Sequence, residues 1–296
     1  MELQLEEKKK MLATLEQVPH PEFEGVSYPS FIPFRKKGAK NVIEDIMNVK
    51  SRDSDIIICT YAKSGTHWTY EIVNMLLRNT TELDKNSKIQ AMLEAVDDLS
   101  VLDSVPSPRI MDTHCLFKYI PKQHRENKGK IVHMIRNPKD VCVSYYYHCL
   151  KDVFINFDGT WEEFLELFMS GKLPYGTWYN YELEIERAAR DFPGMIFTCY
   201  YEDMKQEPVR EIKKLADFLG IACSNDTLEK IAKKTSFENM QKNKFDFTEI
   251  VDGKGFIYRK GEIGDWKNHF TVKQNEKFDA QFKEEMKDSR YKITFE

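Results

Sequence analysis

The chain has 296 residues, 41% hydrophobic and 31% charged, a mixture that excludes collagen-like, low-complexity and disordered classes and allows a packed core. Lys and Arg number 44 against 48 Asp and Glu, leaving a formal net charge of −4, so the basic excess with which nucleic-acid binders neutralise phosphates is missing. No run approaches the roughly 18 apolar residues of a membrane helix, and the start Met1-Glu2-Leu3-Gln4-Leu5-Glu6 lacks the apolar stretch of a signal peptide; a cytoplasmic protein without nucleic-acid or membrane partners is expected.

Residues 1–50 combine a charged helical start, a proline-rich stretch (Pro19, Pro21, Pro29, Pro33) and a second helical pattern near 39–48, and read as an arm packing on a main domain of residues 51–296. Next comes a short β-branched run, Ile56-Ile57-Ile58-Cys59-Thr60, then a turn at Ala62-Lys63-Ser64-Gly65, then Trp68, Ile72, Met75 and Leu76 at helical spacing. The same strand, loop and helix unit recurs at Ile131–Ile135 followed by Arg136-Asn137-Pro138-Lys139-Asp140, and at Met195–Tyr200 followed by Glu202-Asp203 and a helix from about Pro208 to Leu219. Uniformly apolar strands alternating with amphipathic helices predict an α/β fold, a single domain with a central parallel sheet and helices on both faces. Ligands of such sheets bind beyond the carboxyl ends of the strands, which makes each loop after a strand a candidate site.

The loop Thr60-Tyr61-Ala62-Lys63-Ser64-Gly65-Thr66-His67-Trp68 points backbone N–H groups and a helix dipole at its occupant, for which an anion is the natural choice. It is P-loop-like without being the nucleotide-hydrolase pattern G-x-x-x-x-G-K-[ST], because Lys63 precedes Ser64-Gly65. Arg136 and, eight residues on, Ser144 can approach one oxyanion, and the basic segment Phe256-Ile257-Tyr258-Arg259-Lys260-Gly261 can close over it. His114, after the apolar pair Ile110-Met111, is a candidate general base. His133 lies inside an apolar strand and reads as a core residue, while His20, His124, His148 and His269 have no second ligand at metal spacing, so no metal site is expected. The six cysteines include no Cys-x-x-Cys pair and read as reduced thiols.

Together these segments resemble the cytosolic sulfotransferases, which move a sulfuryl group from 3′-phosphoadenosine 5′-phosphosulfate (PAPS) to a hydroxyl or amine. The similarity runs from about residue 54 to 280. Residues 60–68 resemble the family's T-Y-P-K-S-G-T-T-W loop, with Ala62 and His67 as departures; Arg136 through Ser144 resembles its 3′-phosphate motif; Tyr201-Glu202-Asp203-Met204 and Thr235-Ser236-Phe237 resemble its adenine segments; Arg259-Lys260-Gly261 with Gly264-Asp265-Trp266-Lys267 resembles its closing loop. The resemblance implies that Lys63 neutralises the leaving oxygen and His114 takes the acceptor proton. It also implies that Lys63, Ser64, Gly65, Thr66, His67, Trp68, Arg136, Ser144, Tyr201, Thr235, Phe237, Arg259, Lys260 and Gly261 bind the donor, without a metal. The acceptor expected is a small aromatic or lipophilic molecule, with Asp112, Phe117 and Tyr147 as substrate-binding candidates. Asp112-Thr113-His114 stands where the family has Lys-Thr-His; a carboxylate there either attracts a cationic acceptor such as an amine, or points away or lowers activity. Lys267, Thr271, Val272 and Glu276 match the family's dimer pattern K-x-x-x-T-V-x-x-x-E, which implies a homodimer through 267–276. Two rivals stay open: a nucleotide kinase, disfavoured by the missing phosphate-loop pattern, and a nucleotide-binding family member that has lost catalysis, which the departures at Ala62, His67 and Asp112 allow.

Overall fold

The structure is a computed structural model and describes residues 19–84, 91–244 and 255–296; the charged helical start expected in the first residues lies outside them. After a two-residue hairpin (β1, Glu22–Phe23; β2, Val26–Ser27), helix α1 spans Ile32–Met47 and breaks at Gly38, whose φ of 75° no other residue type adopts as easily. The run Ile56–Cys59 forms β3, buried along its whole length, because β-branched side chains on both faces suit a strand covered twice. β4 (Ile110–Thr113), β5 (Lys130–Ile135) and β6 (Ile196–Tyr200) complete a four-stranded parallel sheet in the order β4-β3-β5-β6, with Ile58 in register with Asp112 on one side and Val132 on the other.

Alternation sends Ile57, Cys59, Met111 and Ile131 into one hydrophobic layer, with α1, α4 (Pro138–Cys149) and α6 (Trp178–Asp191). It sends Ile56, Ile58, Ile110 and Val132 into the other, with α2 (Thr66–Arg78), α8 (Pro208–Leu219) and α9 (Asn225–Lys234). Tyr28 and Phe34 of the amino-terminal segment are buried in the first layer and stack with ring centroids 5.0 Å apart, and the Ser30 amide donates to the Phe154 carbonyl at 2.8 Å. His133 is a core histidine, its Nε2 2.8 Å from the equally buried Glu182. All six cysteines are unbridged.

Chain order and spatial order reverse between β3 and β5: the connection leaving β3 runs to β4, the one leaving β5 runs the other way to β6. This switch point opens a crevice beyond the carboxyl ends of β3 and β5. Lys63 and Arg136 lie in the two loops that flank it.

Candidate functional site

The turn after β3 is possible only with an unusual backbone. Lys63 sits at φ 68° and Gly65 at φ 116°, and a Cβ on Gly65 would stand 2.8 Å from Met134 Sδ and 3.2 Å from the Tyr201 ring. Strain of this kind in a non-glycine residue persists where function holds it. The Thr60 and Thr66 hydroxyls, 2.7 Å apart, close the base of the loop. Arg136, almost wholly buried, reaches across from the end of β5: Nη1 donates to the Lys63 carbonyl at 3.2 Å and Nη2 to the Glu262 carbonyl at 3.3 Å. Its guanidinium lies 4.2 Å from the centre of the Tyr201 ring.

The closing segment folds back onto this floor. Gly261 touches Phe237 so closely that a Cβ would fall 2.2 Å from the ring. Arg259 and Lys260 both pair with Asp265, at 2.7 and 2.6 Å; despite the burial that opposes it, Lys260, Asn268 and Arg259 together hold the Asp265 carboxyl well below its usual range. Asp140 of α4 accepts from the backbone amides of Gly264 and Trp266, so the helix that starts at the Arg136 loop also anchors the closing loop.

On the far side of the crevice, His114 leaves the end of β4 with Nδ1 2.8 Å from the Thr60 carbonyl oxygen. A carbonyl only accepts, so Nδ1 carries the proton and Nε2 is the basic nitrogen. The His114 amide donates to Glu94 Oε1 at 2.7 Å, and the edge of Tyr175, itself at φ 72°, packs 5.2 Å from the imidazole. Burial pushes the Glu94 carboxyl up to about 7.

One cavity is lined by Lys63, Gly65, Thr66, His67, Trp68, His114, Arg136, Ser144, Tyr201, Thr235, Phe237, Arg259, Lys260 and Gly261. Ser64 is buried beneath the loop. The three acceptor-side candidates fall in different places. Asp112 is fully buried within β4, in register with Ile58 and facing the α2 layer with Ile110, and does not line the cavity. Phe117 is buried against Phe192 at 5.8 Å in the core and does not line it either. Tyr147 borders an adjoining opening, where its ring carries Arg259 at 5.0 Å and its hydroxyl meets His269 Nε2 at 3.0 Å. The cavity's apolar wall is instead built by Pro29, Phe31, Phe154, Ile155, Phe256 and Ile257.

Two further wall residues are ionisable and are not marked as site residues by the sequence: His148, whose Nδ1 lies 3.4 Å from Lys63 Nζ, and Asp152, 3.0 Å from His148 Nε2. Their i, i+4 spacing after Ser144 was the available signal. Glu94 and Tyr175 carried none. In the segment 267–276, Lys267 pairs with Glu296, Thr271 caps α11 (Val272–Glu285), Val272 is 76% exposed and Glu276 is exposed.

Residues 53–290 match the sulfotransferase domain family. The chain is 43% identical to sulfotransferase 1B1 of Canis lupus familiaris over 82% of this chain and 87% of that relative. It is 37% identical to sulfotransferase 1E1 of Bos taurus over 90% and 98%. Among solved structures, mouse sulfotransferase SULT7A1 complexed with PAP superposes with a TM-score of 0.75 at 29% identity, covering 91% of this chain and 95% of that one. The retinol dehydratase complexed with androsterone and inactive cofactor PAP shares the fold, with a TM-score of 0.78 at 20% identity over 97% and 96%. With four-fifths of its length matched by one family and its strand-end loops arranged around one crevice, the chain belongs to the cytosolic sulfotransferase family.

Proposed function

We propose that this sulfotransferase moves the sulfuryl group of PAPS onto a hydroxyl or amine of a small aromatic or lipophilic acceptor by in-line transfer. The observation that carries the reading is the Thr60–His114 contact. It fixes the imidazole tautomer at the root of the very loop that bears Lys63, so that a base and a cation face one cavity. His114 takes the proton of the attacking hydroxyl or amine. Lys63 balances the charge that grows on the bridging oxygen as the bond to sulfur breaks.

The donor fits the chain's own polar groups. Ser64 Oγ, Arg136 Nε and Arg259 Nε are buried and have no protein partner among the described residues, a costly condition that an anionic ligand relieves. In this reading Ser64, Gly65, Thr66 and His67 hold the 5′ end, while Arg136, Ser144 and Arg259 hold the 3′-phosphate. Trp68, Tyr201, Thr235 and Phe237 hold the adenine, with Lys260 and Gly261 closing over it. The PAP named in the mouse SULT7A1 complex supports this assignment. A transferred sulfuryl carries less charge than a phosphoryl, so Lys63 and backbone amides suffice for turnover without a metal. The reading extends to a cytoplasmic location, supported by six unbridged thiols, and to a homodimer through 267–276, where Val272 is 76% exposed.

The test is a screen of phenols, alcohols and amines with PAPS, with products read by mass spectrometry with and without EDTA. Sulfated product at equal rates in both is expected. Strict dependence on Mg²⁺, or donor binding without transfer to any acceptor, contradicts the reading. Sedimentation at micromolar concentration tests the dimer.

A further inference from the structure

Lys63 does not rest on solvent. Its ammonium lies 3.4 Å from His148 Nδ1, and His148 Nε2 lies 3.0 Å from the Asp152 carboxylate, with both the histidine and the aspartate side chains only 13% exposed. Asp152 is held from a second side, its Oδ1 accepting from the Phe154 amide at 2.9 Å, and the His148 ring packs 5.2 Å from Phe256. A carboxylate accepts only, so Nε2 carries the imidazole proton and Nδ1 turns its lone pair to the lysine. A lysine ammonium on its four-carbon stem takes the position its partners give it. A contact of 3.4 Å is at the long limit of hydrogen bonding, which suits a partner that must release the lysine as well as hold it.

We infer that His148 and Asp152 form a positioning dyad for Lys63: Asp152 fixes the His148 tautomer, and the lone pair so presented holds the Lys63 ammonium at the point from which it reaches the leaving oxygen. The inference rests on the role of Lys63 in the proposed function. The dyad supplies a hydrogen bond to a charged group, so its loss slows turnover about tenfold or more without touching the phosphate cradle.

The experiment measures kcat with saturating PAPS and a neutral phenol, and PAP affinity by calorimetry, in five variants checked for folding by thermal unfolding. His148→Phe removes the acceptor atom. Asp152→Asn keeps the bond to the Phe154 amide but turns its amide N–H toward Nε2, which forces the wrong tautomer. Both are expected to lower kcat about tenfold with unchanged PAP affinity, whereas His148→Asn, whose Oδ1 takes the place of Nδ1, recovers most of the loss. In a Lys63→Met background, His148→Phe is expected to add nothing. Parental kcat in both His148→Phe and Asp152→Asn, or a His148→Asn enzyme as slow as His148→Phe, overturns the dyad. A Lys63→Met enzyme with parental kcat overturns the reading beneath it instead.

Discussion

The donor side and the acceptor side of this cavity are built in different ways. The phosphate cradle of the donor side, residues 63–68 and 136–144, comes from loops that leave β3 and β5 directly, and each loop's backbone is fixed by the sheet on one side and a helix start on the other. Its residues therefore lie together in sequence as well as in space. The acceptor side is assembled from Pro29 and Phe31, from Phe154 and Ile155 after α4, from Tyr175, and from Phe256 and Ile257, segments tied only by contacts such as the 2.8 Å bonds of Ser30 N to Phe154 O and Tyr175 N to Ser27 O. The cradle that must hold one invariant nucleotide sits on the rigid frame, and the wall that must suit a particular acceptor sits on connections free to vary.

The sharpest break in that comparison is expected at His114, the residue of the acceptor side that the sheet itself positions. His114→Ala should lower kcat by about 10²–10⁴-fold while PAP affinity stays at the parental value, read by steady-state rates and calorimetry. Next comes Arg136, buried and bonded to the Lys63 carbonyl. Removing one side of a buried charged contact costs about 2–5 kcal/mol, so Arg136→Met should weaken PAP by about a hundredfold and adenosine 5′-phosphate far less. Equal loss for both nucleotides would remove Arg136 from the 3′-phosphate.

A smaller effect tests the support behind His114. Burial raises the Glu94 carboxyl to about 7. Unfolded chains release this proton at the ordinary carboxylate value, whereas the folded protein keeps it to about 7, so stability falls as pH rises through that window. Glu94→Gln retains the acceptor for the His114 amide and abolishes the titration. Between pH 5 and 7.5 the variant should lose on the order of 2 kcal/mol less than the parent, measured by urea unfolding. Part of the slope should persist, because burial also raises Glu202 to about 7. Parallel pH profiles would contradict the assignment. The smallest effect belongs to Asp112, sealed on the α2 face: Asp112→Asn should leave the ratio of amine to phenol turnover unchanged, and a selective loss on amines would reinstate it as an acceptor residue.

The same contrast governs what the sequence makes legible. Strands at Ile56–Cys59 and Ile131–Ile135 announce themselves because burial on both faces demands near-continuous apolar runs, broken in the second only by His133. The Lys63 loop is legible because phosphate binding needs glycine, lysine and hydroxyls in one short span. Asp112 misleads because nearness to His114 in the chain is not nearness in space: it keeps the parity of Ile110 in β4, while His114 lies beyond the strand's last residue. The aromatic side chains divide the same way. Phe31 and Phe154 reach the cavity, whereas Tyr28, Phe34 and Phe117 fill the core, a choice made by chain paths between distant elements. Glu94 and Tyr175 come to His114 from 20 and 61 positions away, and nothing local marks them.

The most direct test of the central claim, that the crevice between β3 and β5 is built for a 3′-phosphorylated adenine nucleotide, is a calorimetric titration with PAP beside adenosine 5′-phosphate and ATP with Mg²⁺. One saturable site for PAP without metal is expected, with binding of adenosine 5′-phosphate weaker by about a hundredfold, the cost of leaving the buried Arg136 guanidinium without an anionic partner. Binding of ATP with Mg²⁺ in preference to PAP would contradict the claim.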